Sequence, residues 1–176
     1  MKQFVLIVSL FFISFTSFSQ DLTGLKIGDN APLFSLYNQN DVMYKLAKSL
    51  EKGPVVVFFY RGQWCPFCNK YMKNYQDSLG LIKAKGAQMF GISPQAENAV
   101  NKSIEKTGAT FPLLIDSNKK VCYNYKTLTK EDMFNDEANP TPALYVIGKD
   151  GKIKYVHYPS TYTERASISE VLKHLD

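Results

Sequence analysis

Two hydrophobic periods divide the chain into elements. Pro32-Leu33-Phe34-Ser35-Leu36-Tyr37, the polar tetrad Asn38-Gln39-Asn40-Asp41 and Val42-Met43-Tyr44 predict a β-hairpin. Leu46 to Leu50 predicts a brief helix that Lys52-Gly53-Pro54 breaks. Val55-Val56-Val57-Phe58-Phe59 is a short run, β-branched and aromatic without polar alternation, which predicts a strand buried on both faces. Beyond Cys68, Tyr71, Met72, Tyr75, Leu79 and Ile82 recur at spacings of three and four, predicting an amphipathic helix that Lys85-Gly86 closes. Ala87 to Ser93 is the next strand, and Ser93-Pro94 opens a helix through about Lys106 that Gly108 ends. Phe111 to Asp116 predicts a short strand, followed by a helical turn holding Val121, Cys122 and Tyr125. Ala143 to Ile147 and Lys152 to Tyr158 flank Gly148-Lys149-Asp150-Gly151 as a hairpin, and Ala166 to Leu175 is the closing helix. Strand, helix, strand, helix implies a parallel arrangement at the centre, with an antiparallel hairpin after it.

The first residues follow another pattern. Met1-Lys2-Gln3 is a short cationic start, Phe4 to Phe15 is almost unbroken apolar sequence, and Ser17 and Ser19 are small residues in a polar end. This predicts a secretory signal peptide over 1–19, cleaved after Ser19 with Gln20 as the alternative, and a single domain over 20–176. The apolar run is shorter than the ~20 residues of a membrane-spanning helix, so the expectation is an exported protein, periplasmic or extracellular, with no stable membrane insertion after cleavage. The remaining length, about 155 residues, is enough to bury a core without disulfide staples. Basic residues exceed acidic ones by 21 to 16 but are scattered along the chain, so no nucleic-acid patch is read from them. Residues 126–139 lack a period and do not match a calcium loop, which reads as a solvated loop, unusually long for a compact domain.

Chemistry concentrates where the buried strand ends, in Tyr60-Arg61-Gly62-Gln63-Trp64-Cys65-Pro66-Phe67-Cys68. Pro66 suits the first turn of a helix, because its missing N–H has no intrahelical partner there. Cys65 therefore falls near the N-cap and Cys68 in the first turn. Unpaired N–H groups and the positive end of the helix dipole stabilise a thiolate, and two intervening residues let the sulfurs close a disulfide. The alternative, half of a zinc site, needs two more ligands. Cys122, His157 and His174 are isolated candidates that form no second ligand pair. Cys122 reads as a small core residue, with a resolving or regulatory thiol as the alternative. His157 reads as a surface or half-buried strand residue for which the sequence supplies no orienting carboxylate.

These residues resemble a known family. A strand followed by Trp64-Cys65-Pro66-Phe67-Cys68 at a helix start is similar to the thioredoxin superfamily. The longer frame from Phe58 to Cys68 resembles the redoxin branch that contains the alkyl hydroperoxide reductase C and thiol-specific antioxidant proteins. The resemblance runs from about Ile27 to the C-terminus and implies a thioredoxin-like α/β three-layer sandwich with an N-terminal β-hairpin extension. The peroxiredoxin motif Pro-x-x-x-Thr-x-x-Cys places its peroxidatic cysteine at Cys68, but Arg61 stands for the proline and Cys65 for the threonine that would orient a peroxide.

The implied activity is that of an oxidoreductase exchanging disulfides through Cys65 and Cys68, with Cys65 as the more exposed attacking thiolate. The alternative is a peroxidase in which Cys68 is oxidised and Cys65 resolves it. A further alternative is a metal-binding or redox-inactive module. Trp64, Pro66, Phe67, Thr141 and Pro142 are the expected substrate-binding residues. Thr141-Pro142 resembles the step that thioredoxin-like proteins place opposite their cysteines, which implies a cis peptide bond presenting the Thr141 backbone to an extended substrate. Pro140 is expected to be trans. No nicotinamide or flavin motif is present and no cofactor is expected, so the implied partners are protein or small-molecule disulfides, or peroxides, and a thiol electron donor.

Overall fold

The computed structural model describes residues 24–175, so the predicted signal peptide lies outside the described residues. Seven strands form one mixed sheet. They are β1 Ser35–Asn38, β2 Met43–Lys45, β3 Val55–Phe59, β4 Gln88–Ser93, β5 Leu113–Ile115, β6 Leu144–Ile147 and β7 Ile153–His157. Their spatial order is β2-β1-β5-β4-β3-β6-β7. The helices are α1 Leu46–Leu50, α2 Pro66–Asp77, α3 Leu79–Ala84, α4 Glu97–Thr107, α5 Lys120–Asn124 and α6 Ile168–Lys173.

The centre of the sheet is organised by β3, which pairs parallel with β4 and antiparallel with β6. Its five residues are all buried, and its pleat divides them between two cores. Val56 and Phe58 face Met72, Tyr75 and Ile82 of α2 and α3, Val100 of α4 and Val171 of α6. Val55, Val57 and Phe59 face Leu46 and Leu50 of α1 and Val121 and Cys122 of α5. A strand with helices on both faces has no solvated side, which is why its sequence is continuously apolar rather than alternating. This is the three-layer α/β arrangement that the resemblance implies.

The N-terminal hairpin becomes an edge of the same sheet, because β1 also pairs antiparallel with β5. Asn38 sets its turn, the side-chain Oδ1 accepting from the N–H groups of Asn40 and Val42. Three helices differ from their expected bounds, the closing helix α6 starting at Ile168 and ending at Lys173 instead of spanning Ala166 to Leu175. The predicted single helix to Gly86 breaks at Ser78, whose ψ of 6° leaves the helical range, although Leu79 and Ile82 stay on the buried face. Helix α4 begins at Glu97 rather than beside Pro94, because Gln95 lies before the helix and its side chain accepts from the Gln63 N–H. Residues 126–139 carry a 3-10 turn at Asp132–Phe134, and the Lys119 ammonium donates to the carbonyls of Asp132 and Asn135.

Candidate functional site

The end of β3 delivers the dithiol to the first turn of α2. Phe59 donates its N–H to the Ala143 carbonyl and Tyr60 to the Ile92 carbonyl, so the sheet holds the chain to its last residue before the loop. The loop is then fixed from three sides. The Gln63 carbonyl accepts from Asn69 Nδ2 at 2.9 Å and from Lys106 Nζ at 3.0 Å, and its N–H reaches Gln95. A Cβ at Gly62 would lie 2.5 Å from the Gln95 amide nitrogen and 2.8 Å from the Trp64 indole nitrogen, so both side chains would have to shift to admit one. Cys65 is the N-cap of α2, Pro66 is its first residue, and the Cys65 Sγ accepts from the Cys68 N–H at 3.3 Å.

That bond is one of several that favour charge on Cys65. The S–H of Cys68 is the largest influence, followed among the favourable ones by the Cys68 backbone N–H and the guanidinium groups of Arg165 and Arg61. Together they outweigh burial and bring Cys65 down to about 6. Cys68 moves in the opposite direction, because its S–H donates a hydrogen bond to the Cys65 sulfur and is itself buried. The two sulfurs thus behave as one dyad that loses its first proton near pH 6 and holds the second firmly. Against this, the Arg61 backbone N–H and the Arg165 guanidinium both favour charge on Cys68.

Arg165, unforeseen from the sequence, completes the site from a loop 97 positions away. Its Nη1 donates to the carbonyls of Tyr162 and Glu164, which aims Nη2 at the Cys68 Sγ, 3.6 Å away. Its rarity is the trace it leaves in the sequence. Arg61 and Arg165 are the only arginines in a chain with 21 basic residues, and both come to the dithiol. Cys68, Arg165, Pro142, Tyr71 and Tyr75 line a small cavity of about 10 Å³, the space of one water molecule. Cys65 is not among its lining residues.

Three expectations are corrected here. Cys65 does not stand out as an exposed sulfur: it and Cys68 are both buried, at 0% and 3% exposed, and the small cavity is lined by Cys68. The Thr141–Pro142 bond is trans, as are all described peptide bonds. The physical reason lies in the local backbone, where Ala143 N–H closes a three-residue turn onto the Thr141 carbonyl at 2.7 Å and Thr141 N–H is taken by the Thr127 carbonyl. Both backbone groups of Thr141 are therefore satisfied within the chain, while Pro142 serves as cavity wall. His157 does meet a carboxylate, with Nε2 3.9 Å from Glu164 Oε1. Burial holds its imidazole below the ordinary value, and Glu164 opposes that.

Trp64 and Phe67 flank the dithiol, Trp64 being 47% exposed and Phe67 packing partly against the core. Cys122 is fully buried on the opposite side of the sheet, where burial and the neighbouring Asp116 carboxylate push its thiol up. Among the described residues no cluster of three or more histidines, cysteines or carboxylates stands where it could hold a metal ion.

Because the dyad loses its first proton near pH 6, alkylation of the reduced protein by iodoacetamide should rise in rate through about pH 6 and be level above pH 7. An ordinary thiol would keep rising to about pH 8.5. Cys68→Ala removes the largest influence on Cys65, so its midpoint should move upward. An unchanged midpoint in Cys68→Ala would contradict the dyad.

The AhpC/TSA family model matches residues 27–156 of the chain. Peroxiredoxin Q of Oryza sativa subsp. japonica is 31% identical over 146 residues, covering 83% of this chain and 64% of that one. The thiol-disulfide oxidoreductase ResA of Geobacillus kaustophilus is 25% identical over 153 residues, covering 86% of this chain and 80% of that one. Among solved structures, peroxidoxin BcpB of Mycobacterium tuberculosis superposes with a TM-score of 0.75 at 25% identity, over 86% of this chain and 96% of the other. With its dithiol at a strand-to-helix junction, the chain belongs to the AhpC/TSA family of thioredoxin-like redoxins and is a thiol oxidoreductase.

Proposed function

We propose that the protein reduces small peroxides, with Cys68 as the attacking sulfur and Cys65 as the resolving one. The observation that carries this reading is the cavity at Cys68, one water in size and holding the Arg165 guanidinium 3.6 Å from the sulfur. A disulfide must bring a sulfur with its substituents into line with the nucleophile, whereas a peroxide needs to bring only two oxygens.

At neutral pH the dyad carries one proton and one negative charge. Placing the charge on Cys68 sets the thiolate against Arg165, which stabilises it and the charge that develops as the O–O bond breaks. The Cys68 sulfur takes the distal oxygen and becomes a sulfenic acid. The departing alkoxide takes the proton from Cys65, which becomes the thiolate. Cys65 then attacks the Cys68 sulfur, expelling hydroxide and leaving a disulfide. The peroxide has gained two electrons, and an external dithiol restores the pair by exchange.

A second reading, exchange with substrate disulfides initiated at Cys65, is favoured by the lowering of that thiol to about 6 at a helix N-cap. The two differ in which substrate reacts fast. Export is part of the proposal and rests on the pattern of residues 1–19. Expression of the whole chain in a bacterium should yield a periplasmic protein beginning at Gln20, and a cytoplasmic product retaining Met1 would remove export from the account.

Rapid mixing of the reduced protein with hydrogen peroxide, tert-butyl hydroperoxide and a model aromatic disulfide should give the highest second-order rate for hydrogen peroxide. Arg165→Ala should lower that rate by roughly 10², the scale of losing one charge-stabilising donor, and the disulfide rate by much less. A disulfide rate above both peroxide rates, insensitive to Arg165, would establish exchange instead.

A further inference from the structure

The loop that carries the dithiol and the segment that carries Arg165 are joined by side chains that the reaction itself does not use. The Arg61 guanidinium lies between two aromatic rings, its Cζ 4.8 Å from the centroid of Trp64 and 4.9 Å from that of Tyr162. Tyr162 also meets Phe67 edge-on, with centroids 5.4 Å apart and planes at 89°. A planar, delocalised cation can meet two π faces at once, which a lysine could not reproduce in the same geometry. The stack joins the loop before α2 to the segment before α6.

That second segment is itself fixed. The Glu164 carboxylate accepts from Ser160 N–H and Oγ at 2.8 and 2.7 Å, and the Tyr75 hydroxyl donates to the Ala166 carbonyl at 3.0 Å. Tyr162 is 52% exposed and Trp64 47%, whereas Cys65 and Cys68 are almost wholly covered. An aromatic pair that keeps so much of its own surface in water contributes little to the core. Its contacts bridge the loop that carries the dithiol and the segment that carries Arg165.

We propose that Tyr162 is a specificity-determining residue: stacked on Arg61 and against Phe67, it restricts the dithiol to reactants as narrow as an unbranched peroxide. Bulky hydroperoxides and protein disulfides are excluded unless the stack parts. The inference rests on the peroxide reading for its natural substrate, but access to the sulfurs by size is measurable with any thiol reagent.

The test compares the reduced protein with Tyr162→Ala, Tyr162→Phe and Trp64→Ala. Each is alkylated by iodoacetamide and by a bulky biotinylated maleimide, with labelling at Cys65 and Cys68 read by peptide mass spectrometry. In parallel, each reacts with hydrogen peroxide and cumene hydroperoxide. Tyr162→Ala and Trp64→Ala should raise the ratio of bulky to small reagent about tenfold, equivalent to about 1.4 kcal/mol and the scale of the lost ring contacts. Tyr162→Phe, which keeps the ring, should stay within about twofold of the parent. A ratio unchanged in both alanine variants, whether the two rates move together or not at all, overturns the gate. A ratio that shifts while neither peroxide reacts upholds the gate and removes only the peroxidase reading.

Discussion

Cys65 and Cys68 share one proton, and the rest of the site follows from that constraint. Two thiolates held together in the first turn of a helix would repel each other, so the pair ionises once near neutrality. The charge rests on Cys65, while each sulfur has its own stabilisers. Cys65 has the Cys68 S–H and N–H, and Cys68 has the Arg61 N–H and the Arg165 guanidinium. In the proposed peroxide reaction, the attacking and the resolving sulfur exchange roles by moving one proton. A lone thiolate with the same low pKa would have no internal partner to close the cycle.

The fold supplies this dyad by ending a doubly buried strand at a helix N-cap. Strand β3 has no freedom to slip, since a shift of one residue would exchange its two core faces. The loop beyond it inherits that rigidity and is then held by Gln95, Lys106 and Asn69. The charge that faces the dyad is delivered by arginine and not by lysine, although lysine makes up nearly all the basic residues. Arg165 uses one arm of its fork on two carbonyls and offers the other to sulfur, and Arg61 stands over two rings. Both tasks need a planar, delocalised cation.

Much of this was legible in the residues themselves. The apolar run at Val55–Phe59, the three-and-four spacing after Cys68, Pro66 at the helix start and Gly108 at a helix end each express one local rule, and each stands where that rule put it. The departures are tertiary. Gln95 is drawn to the Gln63 N–H before α4 begins, and helix α2 breaks at Ser78 without losing its buried face. Thr141-Pro142 matches a familiar dipeptide, but the fate of its backbone is decided by Thr127 and Ala143. Arg165 belongs to no motif, and only the scarcity of arginine in a lysine-rich chain singles it out.

The central claim is that oxidation begins at Cys68. It is tested most directly by treating reduced Cys65→Ser protein with one equivalent of hydrogen peroxide in the presence of dimedone and locating the adduct by peptide mass spectrometry. The account predicts rapid, stoichiometric dimedone labelling at Cys68, where no resolving sulfur remains to remove the sulfenic acid. Slow or absent labelling at Cys68, with rapid labelling at Cys65 in the reciprocal Cys68→Ser protein, would contradict it.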